Sequence, residues 1–117
     1  PCFNEELFIA KCLDSVLSGN YPKESMEVIV VDGMSEDNTR TIVHQYAKQH
    51  PLIRLLDNQK RVTRTAMNIG IRNATGDVIV RLDGHSACSR NYISACVETL
   101  QNFGADNVGG VIRTLPG

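Results

Sequence analysis

The sequence predicts an α/β fold with a mainly parallel sheet and helices on both of its faces. Three observations carry this. Helical and strand-like patterns alternate along the whole chain, which is the order of crossover units. The strand candidates are short runs of consecutive apolar residues rich in valine, isoleucine and leucine, as in strands buried on both faces. Two of these runs end in Asp-Gly, "VIVVDG" and "VIVRLDG", so polar groups collect where the strands stop.

In "EELFIAKCLDSVLSG", Leu13, Val16 and Leu17, with Ile9 and Ala10 behind them, have helical spacing. Asn4 is expected to cap this helix, Glu5 and Glu6 suit the positive end of its dipole, and Gly19 suits its stop. "NYPKES" is a loop broken by Pro22. "MEVIVVD" is a strand, and "GMSEDNT" is a turn that offers Ser35 or Asp37 as the next cap. "TIVHQYAKQ" places Ile42, Val43, Tyr46 and Ala47 on one helical face, and "LIRLLD" is a second strand. "VTRTAMNIGIRNA" is a helix with Ala66, Ile69, Gly70 and Ala74 in line. A mid-helix glycine costs about 1 kcal/mol relative to alanine, and its expected purpose at Gly70 is close packing against a strand. "GDVIVRLD" is expected as a third strand. "NYISACVETLQNF" follows as a helix with Ile93, Cys96, Val97 and Leu100 inward. "NVGGVIRT" would be a last strand, weakened by Gly109 and Gly110.

The first helix starts almost at Pro1. The strand expected before it is therefore cut to a stub, "PCF", and the chain reads as a fragment. A length of 117 residues suits one domain, 1–117, with one core. The net charge of −1 makes no case for nucleic acid as partner. No apolar stretch approaches the roughly 20 residues that span a bilayer. Cys2, Cys12, Cys88 and Cys96 form no CxxC pair, so they read as free, structural thiols in a reducing compartment, with Cys12 and Cys96 in the core. GxGxxG, Walker A and GxSxG patterns are absent, which disfavours a dinucleotide fold, a P-loop enzyme and a serine hydrolase.

In open α/β sheets, ligands bind outside the carboxyl ends of the strands. Three such ends carry polar groups: "CFNEE", Asp32, and Asp83 with His85. Singly, the two Asp-Gly pairs could be turns, Asn4 a cap and His85 a surface residue. Together at one edge they point to a site, because a buried rim seldom collects carboxylates without a partner. Aspartate and histidine both bind divalent cations such as manganese, whereas magnesium prefers oxygen. An ion held by two side chains keeps open positions for a diphosphate. Zinc at His85 and Cys88 lacks further ligands at useful spacing. Asp32 could accept hydrogen bonds from a nucleobase, with Phe3 against its ring. Lys60, Arg61 and Arg64 either meet phosphates or form a solvated loop.

"PCFNEE", "VIVVDGMSEDNT", "AMNIGIRNATGDVIVRLDGHS" and "VGGVIRTLPG", in this order, resemble the nucleotide-sugar half of glycosyltransferase family 2. The resemblance implies a GT-A type fold: a Rossmann-like αβα sandwich, here with its first strand truncated, that binds a nucleoside-diphosphate sugar with Mn2+ or Mg2+. A UDP-sugar is the favoured donor, and the acceptor is a sugar or a lipid-linked sugar. By the same resemblance Asp32 contacts the base, Phe3 and Glu5 line the nucleotide pocket, and Arg64 meets phosphate. Asp83 would hold the ribose or the metal, and His85 would ligate the metal in place of the family's second carboxylate. Asp32, Gly33, Met34 and Ser35 stand where the family commonly has Asp-Asp-Gly-Ser, so only the first carboxylate carries over. "DGMS" with an Asp-any-His motif looks like the succinoglycan type of exopolysaccharide synthesis. The implied reaction is an inverting sugar transfer, at the inner face of the membrane in a full-length protein, with a general base expected beyond Gly117. A sugar nucleotidyltransferase and a non-catalytic nucleotide-binding or interaction module are the alternatives. The former lacks its glycine-rich, lysine-containing loop in "PCFNEE".

Overall fold

A computed structural model describes residues 1–76 and 78–103. In chain order they form α1 (Ile9–Leu17), a single 3-10 turn (Lys23–Ser25), β1 (Val28–Asp32), α2 (Thr39–Gln49), β2 (Ile53–Asp57), α3 (Thr63–Asn73) and α4 (Tyr92–Phe103). The alternation read from the sequence is present. β1 and β2 pair in parallel, from Val28 opposite Ile53 to Asp32 opposite Asp57. The other edge of β1 carries a parallel bridge from Asp32 to Cys2. There the Cys2 N–H donates to the Val31 carbonyl at 3.0 Å, and the Gly33 N–H donates to the Cys2 carbonyl at 2.8 Å. Pro1 and Cys2 thus run alongside the end of β1, where the sequence places the end of a first strand.

Side chains alternate across β1 and meet helices on both faces. Val30 packs with Ile9 and Leu13 of α1, Val43 of α2 and Ile53 of β2. Ile42, Tyr46 and Ala47 join the same core, as their spacing predicts. Tyr46 also donates its hydroxyl to Asp14 at 2.6 Å, tying α2 to α1. Val31 faces α3, where a Cβ built on Gly70 would stand 3.7 Å from its Cγ2. Gly70 does pack against a strand, but a methyl there would make an ordinary contact. Cys96 of α4 is buried against Val78, Val80 and Tyr92. All four cysteines are free. Among the described residues no helix is long and apolar enough to cross a membrane.

Three expectations need correction. Residues 78–83 run towards the rim but form no ladder with another described residue. Their neighbour on the β1 side is the Pro1–Cys2 segment. One bond reaches it, from the Gly84 N–H to the Pro1 carbonyl at 3.2 Å. The first helix begins at Ile9 rather than near Glu5, and Asn4 does not cap it. Asn4 sits at φ 50°, in the left-handed region, and its side-chain oxygen accepts from the Glu36 N–H at 2.8 Å. Ser35 does not cap α2 because its side chain is engaged by Asp32. Asp37 accepts from the Thr39 N–H at 3.0 Å instead. The inward position expected for the Leu100 side chain and the strand expected over 107–114 lie outside the described residues.

Candidate functional site

The carboxyl ends of β1 and of the Pro1–Cys2 stub, together with the end of the 78–83 run, meet at one rim. The loop after Cys2 is laced to the loop after β1 by backbone donors. The Asn4 N–H donates to Ser35 Oγ at 2.8 Å, Glu5 N–H to Thr39 Oγ1 at 2.8 Å, and Glu6 N–H to Asp37 at 3.2 Å. The third segment closes on the first through Gly84. A Cβ on Gly84 would fall 2.7 Å from Cys2 Cβ and 3.0 Å from Glu5 Cγ, closer than atoms can pack. Glycine is therefore required to let the 83–86 turn touch the stub.

Asp32 lies at the centre of this construction and is completely buried. Both of its oxygens are taken by the protein. Oδ2 accepts from the Ser35 N–H at 2.8 Å and from Arg40 Nη1 at 2.9 Å. Oδ1 accepts from the Ser35 hydroxyl and from the Cys2 thiol at 3.3 Å. Burial alone would raise the pKa of this carboxyl. The bonds from the Ser35 side chain and backbone, Arg40 and Cys2 outweigh burial and hold it below the usual carboxylate value. Arg40 reaches on to Asp57 at 2.6 Å, so one guanidinium joins the ends of β1 and β2. The Cys2 thiol is pushed up to about 12, first by burial and then by the Asp32 charge beside it.

Asp83 is in a different state, with a quarter of its side chain exposed. Arg81 from the same run donates to its Oδ1 at 3.3 Å through Nε and 3.1 Å through Nη2. His85 stands beside Glu5, with Nδ1 3.3 Å from Oε1. This contact directs the other ring nitrogen away from Glu5. Phe3 is 39% exposed and backs onto Gly33, whose Cβ position lies 3.3 Å from the ring. The Arg61 guanidinium covers that ring with its carbon 5.0 Å from the centroid. Asn4, Met34 and Arg61 all adopt positive φ, at 50°, 62° and 59°, and all three border this rim. Backbone strain of this kind gathers at functional sites.

The structure therefore brings Phe3, Glu5, Asp32, Asp83 and His85 together. Arg64 stands apart from these contacts, exposed in the first turn of α3. Arg61, rather than Arg64, is the basic residue over the aromatic ring. Sequence reasoning missed Arg40, Ser35 and Cys2 as partners of Asp32, and Arg81 as partner of Asp83. The short spacings, three residues from Asp32 to Ser35 and two from Arg81 to Asp83, were the only local signals available. Nothing local links Cys2 to Asp32.

Among the described residues no three histidine, cysteine or acidic side chains lie close enough to enclose a divalent ion. Asp83 and His85, a hard oxygen and a borderline nitrogen at an open rim, nevertheless suit an ion that takes its remaining ligands from a diphosphate.

The chain matches the family model "Glycosyl transferase family 2" over residues 1–115 and belongs to that family. It is 34% identical over 122 residues to the dolichyl N-acetyl-alpha-D-glucosaminyl phosphate 3-beta-D-2,3-diacetamido-2,3-dideoxy-beta-D-glucuronosyltransferase of Methanococcus voltae, covering 98% of this chain and 38% of that protein. It is 31% identical over 117 residues to the succinoglycan biosynthesis protein ExoA of Rhizobium meliloti, covering 98% of this chain and 35% of the relative. Among solved structures, the mannosyltransferase PcManGT of Pyrobaculum calidifontis, in complex with GDP-Man and Mn2+, superposes with a TM-score of 0.76. It shares 30% identity over 85% of this chain and 31% of that one. The fold is GT-A type, and the chain spans little more than a third of the length of these curated relatives.

Proposed function

We propose that the chain is the donor-binding part, in a single domain, of a glycosyltransferase that moves a sugar from a nucleoside diphosphate to an acceptor hydroxyl with inversion. The convergence of three loops on one rim carries the reading: Phe3 and Glu5 from one, Asp32 from another, Asp83 and His85 from the third. Membership of a transferase family and the Mn2+–GDP-Man complex of a structural relative support it.

In this reading the base lies over Phe3 and Gly33, displacing the Arg61 guanidinium, which then turns towards phosphate. A base that reaches Asp32 takes over a bond now made by Ser35. Arg64 meets phosphate from the first turn of α3, where the helix dipole favours negative charge. Asp83 and His85 hold Mn2+ or Mg2+, and Glu5 orients the His85 ring and adds the negative charge that a histidine ligand lacks. The ion, when bound, neutralises charge growing on the leaving diphosphate. UDP-sugars are the favoured donors, and a sugar or lipid-linked sugar is the acceptor. Free thiols at Cys2, Cys12, Cys88 and Cys96 suit a reducing, cytoplasmic setting.

The test is thermal unfolding and calorimetric titration with UDP and GDP, each with and without Mn2+. A nucleotide that binds only when the metal is present, and loses at least tenfold in affinity in Asp83→Asn, is the expected result. Unchanged melting with every nucleotide and metal would sink the reading.

A further inference from the structure

Arg81 and Asp83 form an ion pair at the rim, with Nη2 3.1 Å from Oδ1. The guanidinium approaches with two donors, since Nε also meets Oδ1 at 3.3 Å. Side chains along this run sort by alternation. Val78 and Val80 pack against Cys96 of α4, while Arg81 turns to Asp83, its neighbour two places on. We propose that Arg81 is a positioning residue that keeps Asp83 and His85 from taking a divalent ion by themselves, so that the ion enters together with a diphosphate. The inference rests on the reading of Asp83 and His85 as the holders of the ion.

Charge supports it. The carboxylates in contact with the groups of this corner are Asp83 and Glu5, and the guanidinium of Arg81 offsets one of them. A histidine that ligates a metal is neutral. A single excess negative charge is therefore set against a doubly charged ion. Hard divalent ions ordinarily gather several oxygens. Among the described residues no third acidic, histidine or cysteine side chain completes a cage. The side chains of Arg81 and Asp83 are 38% and 25% exposed, so water screens the guanidinium only in part.

Geometry acts in the same direction. An ion that takes Asp83 through Oδ1 must displace both guanidinium donors. One that takes it through Oδ2 sits beside a fixed positive charge. Either route penalises a bare cation. A diphosphate reverses the sign, because its oxygens attract the guanidinium as well as the ion. Arg81 thus works through Asp83 and through its field, without itself binding the metal. A salt bridge kept only for the fold would make the opposite forecast, since its loss would free Asp83 to move and weaken every form of metal binding.

Mn2+ titrations followed by water-proton relaxation, which reports ion held by the protein, test this without nucleotide and then with UDP or GDP. Arg81→Gln and Arg81→Met remove the charge, Arg81→Lys keeps it, and Asp83→Asn removes the ligand. Both neutral variants should bind bare Mn2+ roughly tenfold or more tightly than the unsubstituted protein. With nucleotide present the gap should shrink to about threefold or less, and Arg81→Lys should stay near the unsubstituted protein. Adding Asp83→Asn to Arg81→Gln should abolish the gain. Bare-ion binding that is unchanged or weaker in the neutral variants overturns the proposal, as does failure of both to fold, for Arg81 would then be structural. Mn2+ that no form of the protein holds with either nucleotide, or that Asp83→Asn holds as well as before, removes the underlying metal reading and the proposal with it.

Discussion

Asp32 and Asp83 each end an apolar run and each precede a glycine, yet one is sealed inside the protein and the other stands a quarter open to solvent. The difference lies in their neighbours. Asp32 closes a strand paired on both edges at that point, by Asp57 and by Cys2. Its carboxylate lies inside, where an unpaired charge would be prohibitive, and the protein supplies Ser35, Arg40 and Cys2 to satisfy it. Asp83 closes a run without a ladder and is met by Arg81 from two residues back. A carboxylate after an apolar run can thus serve two ends. One shapes the loop that forms the rim, and the other stays a quarter exposed beside Arg81.

The largest effect should separate these two directly. Asp32→Ala removes the partner of Arg40 and of the Ser35 turn and should cost about 3 kcal/mol in urea unfolding. Asp83→Ala should change stability by no more than about 0.5–1 kcal/mol. Equal losses at both positions would mean that Asp83 is held by the fold as firmly as Asp32. Next is Gly84→Val, whose Cβ would collide with Cys2 Cβ at 2.7 Å. It should cost about 1–3 kcal/mol by overpacking in urea unfolding.

A pH series sharpens the contrast further. Asp32 has a folded-state pKa below its ordinary value of 3.8, so its stabilising contribution is fully present above that value. The contribution is lost as pH falls through the lower, folded pKa. Asp32→Ala should therefore flatten the acid limb of a stability–pH curve below about pH 4. Arg61→Ala, which uncovers Phe3, should cost about 0.5–1 kcal/mol of stability in thermal melts. The smallest effect is expected at Gly70→Ala. Its methyl would lie 3.7 Å from Val31, and the helix should gain up to about 1 kcal/mol. A clear loss there would mean that α3 sits closer to β1 than the geometry described above.

Much of the architecture could be read from local pattern. The period of Ile42, Val43, Tyr46 and Ala47 reports which face of α2 is buried, and the run Val28–Val31 reports a strand with helices on both sides. Burial of a face is a property of neighbouring residues, so periodicity carries it. The order of elements then brings the ends of three segments, with Phe3, Glu5, Asp32, Asp83 and His85, to one edge of the sheet. What each side chain does at that edge was decided only by tertiary structure. "VIVVDG" and "VIVRLDG" are nearly interchangeable as local patterns. Arg40 meets both Asp32 and Asp57 because the β1–β2 register sets those carboxylates side by side. Arg61, whose backbone turns at φ 59°, covers Phe3 from 58 residues further along the chain. Such pairings join residues distant in the chain, and their energies depend on register and approach distance, which composition and spacing do not encode.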